Sequence, residues 1–284
     1  MAIFAGRHSE VVQNRTLLAG LVVLGLIGLC ALIGPLFLDP AMARVGATTP
    51  RLAPSADHWL GTDGQGRDML TVMALALPQT LKIGLMAGLI SLAVGVVLGL
   101  VAGFVGGKVD IIIRLISDVV MTIPGIAILV LVAANVREMT VELMAAIVAS
   151  LSWMVATRTI RAQTLSLRER GYVHVARLSG ASTFNLVFVE VLPNLLPFIT
   201  ASFVITVSQA MLASIALEAL GLGPQNELTL GMTIYWAQFY SAIIRGMWWW
   251  VGPPILAISL IFIGLMLTSV GMDSFVNKRV RGGQ

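Results

Sequence analysis

The chain has 284 residues, of which 57% are apolar and 11% charged, against about half and about a quarter in soluble domains. That composition excludes a soluble globular fold and predicts an all-α integral membrane protein. The net charge of +4 does not point to nucleic acid, because the basic residues lie mostly beside apolar spans, where they act as an orientation signal.

In chain order, residues 1–16 form a tail with Arg7 and Arg15, expected in the cytoplasm. Residues 17–38 follow without a charge, and a bilayer core needs about twenty such residues. Ala41, Met42 and Ala43 imitate a signal-peptidase site, but the run is too long for a signal core and more spans follow, so it reads as an uncleaved anchor. Cys30, the single cysteine, sits in this span, and no disulfide framework is possible. Residues 39–82, with Pro40, Pro50, Pro54 and Pro78, read as an external loop. Asp57, His58, Asp63 and Asp68 do not match a calcium loop, since Asp68 stands where glycine is required; a hydrogen-bonded turn is expected there.

A second span, 83–105, sets Ser91, Gly95, Gly99 and Gly103 four residues apart, a ridge on which another helix can approach closely. Gly106, Gly107 and Lys108 do not complete a phosphate loop: the first glycine of GxxxxGK falls at Ala102, and Val109 replaces the magnesium-binding hydroxyl. Any ATP used must therefore be hydrolysed by a partner. The third span, 111–135, carries Arg114 and Asp118 one turn apart, expected to pair with each other, and bends at Pro124 and Gly125. The fourth, 139–157, has Glu142 near its outer end.

It descends into a basic segment where Arg158, Arg161, Arg168, Arg170 and Arg177 face one acid, Glu169, which predicts a cytoplasmic location. This segment reads as two short helices. Residues 172–179 have helical composition, Gly180 supplies a positive-φ end, and Ser182 or Thr183 caps a second helix. Phe184, Val187, Phe188, Val191 and Leu192 share one face of that helix, and Pro193 stops or kinks it. From pattern alone the segment is either an amphipathic loop on the lipid headgroups or a docking handle.

The fifth span, 195–220, contains Gln209 and Glu218. An external segment with Tyr235, Trp236, Phe239 and Tyr240 follows, then Trp248, Trp249 and Trp250 and a sixth span to 271, interrupted by Pro253 and Pro254. The rings form either an interfacial belt or part of a solute path. The tail, 274–284, holds Lys278, Arg279 and Arg281. With both termini inside, 12 of the 18 Lys and Arg residues fall on the inner side, so the charges support six spans and cytoplasmic termini.

Two stretches carry a resemblance. His58, Leu60, Gly61, Thr62, Asp63, Gly66, Arg67 and Asp68 resemble the HxLGTDxxGRD stretch that precedes the transmembrane domain in the second permease subunit of dipeptide and oligopeptide ABC importers. Tyr172, Ala176, Arg177, Gly180, Ala181, Ser182, Leu192 and Pro193 are similar to the EAA loop of ABC-importer permeases; His174, Val175 and Glu190 depart from it. The close from Glu218 to Gly223 is similar to the family's E-x-x-LSFLGLG ending, without its serine and phenylalanine. Together the matches cover most of 57–223.

The resemblance implies a type I ABC-importer permease fold in a bacterial inner membrane, with a five-helix core at 83–273 and a coupling loop at 158–193. Tyr172, His174, Val175, Ala176, Arg177, Gly180, Ala181, Ser182, Leu192 and Pro193 would contact the ATPase. The implied partners are a homologous second permease subunit, two ATPase subunits holding ATP and Mg, and an external solute-binding protein. The chain itself would hold no cofactor or metal, catalyse nothing, and work by alternating access. Gln209, Glu218 and Trp236 are candidates for the substrate path. Peptides are the expected cargo and oligosaccharides the alternative; nickel has little support, because no His or Cys cluster lines a span. An ATP-independent secondary transporter or channel subunit is the rival from another class.

Overall fold

A computed structural model describes residues 14–281, with side chains through 272. The helices are α1 (Arg15–Phe37), α2 (Met69–Val105), α3 (Gly107–Thr122), α4 (Gly125–Ala134), α5 (Val141–Arg168), α6 (Gly171–Leu178), α7 (Thr183–Ala219), α8 (Leu230–Phe239) and α9 (Trp248–Arg281). Helices α1, α2, α5, α7 and α9 are each long and apolar enough to cross a bilayer, and α3 with α4, bent by 80°, makes a sixth crossing if the two count as one. The expected positive charges at Arg7, Lys278, Arg279 and Arg281 lie outside the described side chains.

The centre of the bundle is α2, which packs against both α5 and α7. Its small residues form the expected ridge. A Cβ on Gly95 would fall 2.5 Å from that of Ala156, one on Gly99 2.8 Å from that of Ile160, and one on Gly103 2.7 Å from that of Thr164. Ser91 Oγ donates to the Ala149 carbonyl at 3.4 Å. With no apolar driving force between helices in lipid, such close backbone approach and the dispersion contacts it permits hold the pair together. Nearer the start of the helix, Gly84 and Gly88 receive Met211 and Val207 of α7. Helix α1 lies against α9, where Gly264 leaves room for Leu24.

Several boundaries differ from the sequence expectation. Helix α2 starts at Met69, well before 83, because the Asp68 carboxylate accepts from Thr71 N at 2.9 Å and caps it. Pro78 is absorbed inside the helix, and Met69, Val72 and Ala76 are wholly buried. Helix α5 runs on to Arg168. The sixth span passes through Pro253 and Pro254 without a break; so near its start, only carbonyls of the first turns lose their partners.

The anticipated pairing of Arg114 with Asp118 also gives way. Asp118 stands 4.0 Å from Arg158 of α5, while Asp110, at the start of α3, takes a two-pronged bond from Arg161, with Nη2 at 2.7 Å from Oδ2. The bend after α3 sets this helix beside the arginine-bearing end of α5. Partners from a neighbouring helix replace the one expected on the same helix.

The 39–68 segment closes one end of the bundle as a hydrogen-bonded knot. Asp63 is fully buried and accepts from Gln65 N at 2.8 Å, Arg67 N at 2.9 Å and Arg67 Nε at 2.6 Å. His58 Nδ1 lies 2.9 Å from Asp68 Oδ1. Gly61 and Gly66 take φ values of +65° and +73°, and Trp249 Nε1 of α9 donates to the Thr62 carbonyl at 3.1 Å. The HxLGTDxxGRD residues thus tie the start of α2 to the start of α9.

Candidate functional site: a helical hairpin seated on the bundle end

At the opposite end α6 and the first turns of α7 form a hairpin. Its turn is the predicted one: Gly180, at φ +85°, donates to the Arg177 carbonyl, and Ala181 N donates to the Ala176 carbonyl, both at 3.1 Å. This pair of bonds is the Schellman arrangement, which satisfies the last carbonyls of α6. Ser182 Oγ then accepts from Asn185 N at 3.3 Å and caps the start of α7.

The second arm does not stop at Pro193. Residues Leu186–Val191 form a π turn, and Leu192 N donates five residues back to Val187. Asn194 Nδ2 donates to the Glu190 carbonyl at 2.7 Å. Proline offers no N–H and cannot continue the α-helical bonding inward; the widened turn lets the helix pass through into α7. The wider turn redistributes the expected apolar face. Val191 is buried and Val187 and Leu192 pack beside it, but Phe184 and Phe188 stay exposed. Their rings stack with centroids 4.4 Å apart and, with Val97, Val101 and Phe104 of α2, line an apolar groove of about 460 Å³.

Three side chains seat the hairpin. Val173, Leu186 and Val191 join Leu100 and Phe104 of α2 and Ile160 of α5 in one buried cluster. Sequence reasoning missed Val173 and Leu186; the interval of five between Leu186 and Val191 is legible only once the π turn is known. Arg168 Nη1 donates to the carbonyls of Gly103 at 3.1 Å and Phe104 at 3.3 Å, closing the C-terminal end of α2, where a cation is favoured.

Of the proposed contact residues, Tyr172, His174, Val175, Arg177, Gly180, Ser182 and Pro193 are exposed, whereas Ala176, Ala181 and Leu192 turn partly toward the bundle. Partial burial pushes the Tyr172 phenol above its ordinary pKa. Val175 and Leu178, with exposures of 63% and 89%, point away from the bundle on the face that Val173 does not use.

The three path candidates separate. Gln209 is exposed on α7. Glu218 is fully buried in the joint between α7 and α8: its Oε2 accepts from Thr229 Oγ1 at 2.6 Å, and Thr229 is the residue that caps α8. Trp236 is half-buried among rings, with centroids 5.1 Å from Tyr235 and 5.7 Å from Phe239. Glu218 packs against Gly231 of α8, the helix that also carries Trp236, whereas Gln209 lies on α7.

A family model described as "Binding-protein-dependent transport system inner membrane component" matches residues 95–282. The chain is 30% identical to the dipeptide transport system permease protein DppC of Bacillus subtilis over 95% of this chain and 83% of that protein. It is 31% identical to a putative peptide permease protein of Brucella suis, over 89% of this chain and 86% of the other. With the oligopeptide transport system permease protein OppC of Mycobacterium bovis it shares 27% identity over 82% of each.

Proposed function

The chain belongs to the family of binding-protein-dependent transport system inner membrane components, and we propose that it is one of two paired permease subunits of an ATP-driven peptide importer. It is a multi-pass membrane protein and a permease of the DppC/OppC-like ABC type. In this reading both termini and the hairpin face the cytoplasm, the 39–68 knot faces outward, and each hairpin docks on an ATPase subunit that binds ATP and Mg. An external binding protein delivers the solute. ATPase closure draws the two hairpins together, the spans rock as packed bodies, and the path changes the side to which it opens.

The observation that carries the reading is the division of α6 into two faces. Val173 is held in the bundle while Val175 and Leu178 stand out from it, close to Arg170 and Arg177. An apolar edge beside arginines at the end of a bundle fits a protein groove. The seating of Val173, Leu186 and Val191 and the Arg168 bonds to α2 supply the stiffness that transmitting force requires.

Peptides are the proposed cargo because the relatives are described as dipeptide, oligopeptide and peptide permeases. Oligosaccharides are the alternative cargo, for which the exposed rings of Phe239 and Trp248 offer apolar faces.

The test is Leu178→Asp in the co-expressed transporter. Burying a leucine contributes about 1.5–3 kcal/mol, so the variant insertion is expected to proceed normally while retention of the ATPase subunits on copurification falls about tenfold or more. Unchanged retention would show that the hairpin is not the grip. Purification of the unmodified chain with no ATPase at all would favour the secondary-transporter alternative.

A further inference from the structure

We propose that the elbow between α3 and α4 is the seat of a spanning helix of the second permease subunit; this rests on the importer reading above. The two helices meet at 80°, and Met121, Thr122, Ile123, Pro124, Gly125 and Ile126 are all exposed. Helix α3 buries only Ser117, and α4 buries only Leu129 and Ala133. This chain therefore leaves the outside of the elbow bare.

The elbow lies midway along the bundle. Leu129 and Ala133 share a buried cluster with Ile83 and Ala87 of α2 and with Val141 and Met144 of α5, in the half nearer the 39–68 knot. In the half nearer the hairpin, Arg161 of α5 holds Asp110, and Arg158 Nη1 donates to Met121 Sδ at 3.5 Å. Ile123 and Pro124 cross between these two levels, beside the middle of α5, which is itself long and apolar enough to span the bilayer.

An exposed surface at that depth is covered by lipid, water or protein. Backbone chemistry excludes lipid. The Met121 and Thr122 carbonyls and the Gly125 and Ile126 amides make no hydrogen bond across the break among the described residues, and irregular backbone at membrane depth persists only inside protein or along a water-filled cavity. The side chains then decide against water. Ile123 and Ile126, 49% and 43% exposed, flank the break, and the exposed Val119 and Met121 extend the apolar surface. Apolar side chains around bare backbone groups suit the flank of another helix, one that brings a serine, threonine or asparagine to the break. Gly125 leaves room for its approach, since nothing lies within 4 Å of an added Cβ. In the importer reading, the spanning chain available to fill that place is the paired permease subunit.

The experiment uses the complete co-expressed transporter in the membrane. With p-benzoylphenylalanine in place of Ile123, irradiation is expected to join this chain to the second permease subunit, identified by mass spectrometry of the adduct. Gly125→Leu, which meets no atom of its own chain, is expected to insert normally and to retain about tenfold less of that subunit on copurification. An adduct with phospholipid alone, an adduct with a second copy of this chain, or undiminished retention by Gly125→Leu would overturn the proposal. So would labelling of Ile123→Cys, in a Cys30→Ala background, by a membrane-impermeant thiol reagent in the assembled complex, since it would set the elbow in water. If the unmodified chain copurifies with no second permease subunit, the importer reading itself fails.

Discussion

Leu186 and Val191 stand five residues apart and are both closed off, with exposures of 3% and 0%, because the helix between them is wound as a π turn. That interval matches the wider turn and not the α-helical period. It lets one continuous rod, α7, carry both a span and the arm of a hairpin, with α6 held at a set angle to the bundle. Helix α6 is joined to α7 by the Gly180 turn and to α2 and α5 by the shared cluster around Val173, the connections through which motion of α6 would pass.

Gly180→Val tests that rigidity. The space around Gly180 is open, with no atom within 4 Å of an added Cβ, so the variant suffers no overlap. Its cost comes from the positive φ of +85°, about 1–2 kcal/mol for a residue with a Cβ and more for a β-branched one. The expected outcome is normal insertion with ATP hydrolysis uncoupled from transport. Gly180→Asn, which tolerates the conformation, should retain coupling. Normal uptake by the valine variant, measured beside ATPase activity, would contradict the mechanical role.

The ridge on α2 makes a stability prediction. Gly99→Leu places a branched side chain where a Cβ alone would lie 2.8 Å from Ile160. Overpacking of this kind costs about 1–3 kcal/mol or more. The variant should lower the melting temperature of the detergent-solubilised protein, whereas Gly25→Leu, facing open space, should not. Thermal unfolding followed by fluorescence size-exclusion separates the two.

A third prediction concerns the knot. Asp63 and Arg67 are 0% and 5% exposed, and removing one partner of a buried ion pair costs about 3–5 kcal/mol, because the remaining charge is left uncompensated. Asp63→Ala should open the 39–68 segment to limited proteolysis and loosen the Trp249 bond to Thr62. Asp57→Ala, on an exposed residue, serves as the control. Equal proteolysis of the two variants would refute the structural role assigned to the motif.

Much of the fold was readable from residue order. The charge-free run at 17–38, the four-residue spacing from Ser91 to Gly103, the break at Pro124 and the positive-φ end at Gly180 are local signals, and each has its counterpart in the structure. The signals that misled were also local. Pro78 and the polar residues before it suggested a loop through 82, but tertiary packing of Met69 and Ala76 in clusters with α8 and α9 kept α2 helical. The apolar face from Phe184 to Leu192 followed an α-helical period that the π turn does not keep.

What the amino-acid sequence determined by itself was the rough placement of the apolar spans, the ridge and the hairpin's turn, because composition, small-residue spacing and backbone preference act over a few residues. The tertiary structure decided which helix meets the ridge, that Asp110 takes Arg161, that Glu218 belongs to the joint with Thr229, and that Lys82 finds Glu142 across 60 positions of chain. These pairings depend on how far each helix is rotated and how deep it sits beside its neighbour. Rotation and depth are set by the sum of contacts along whole helices, and no local period encodes them.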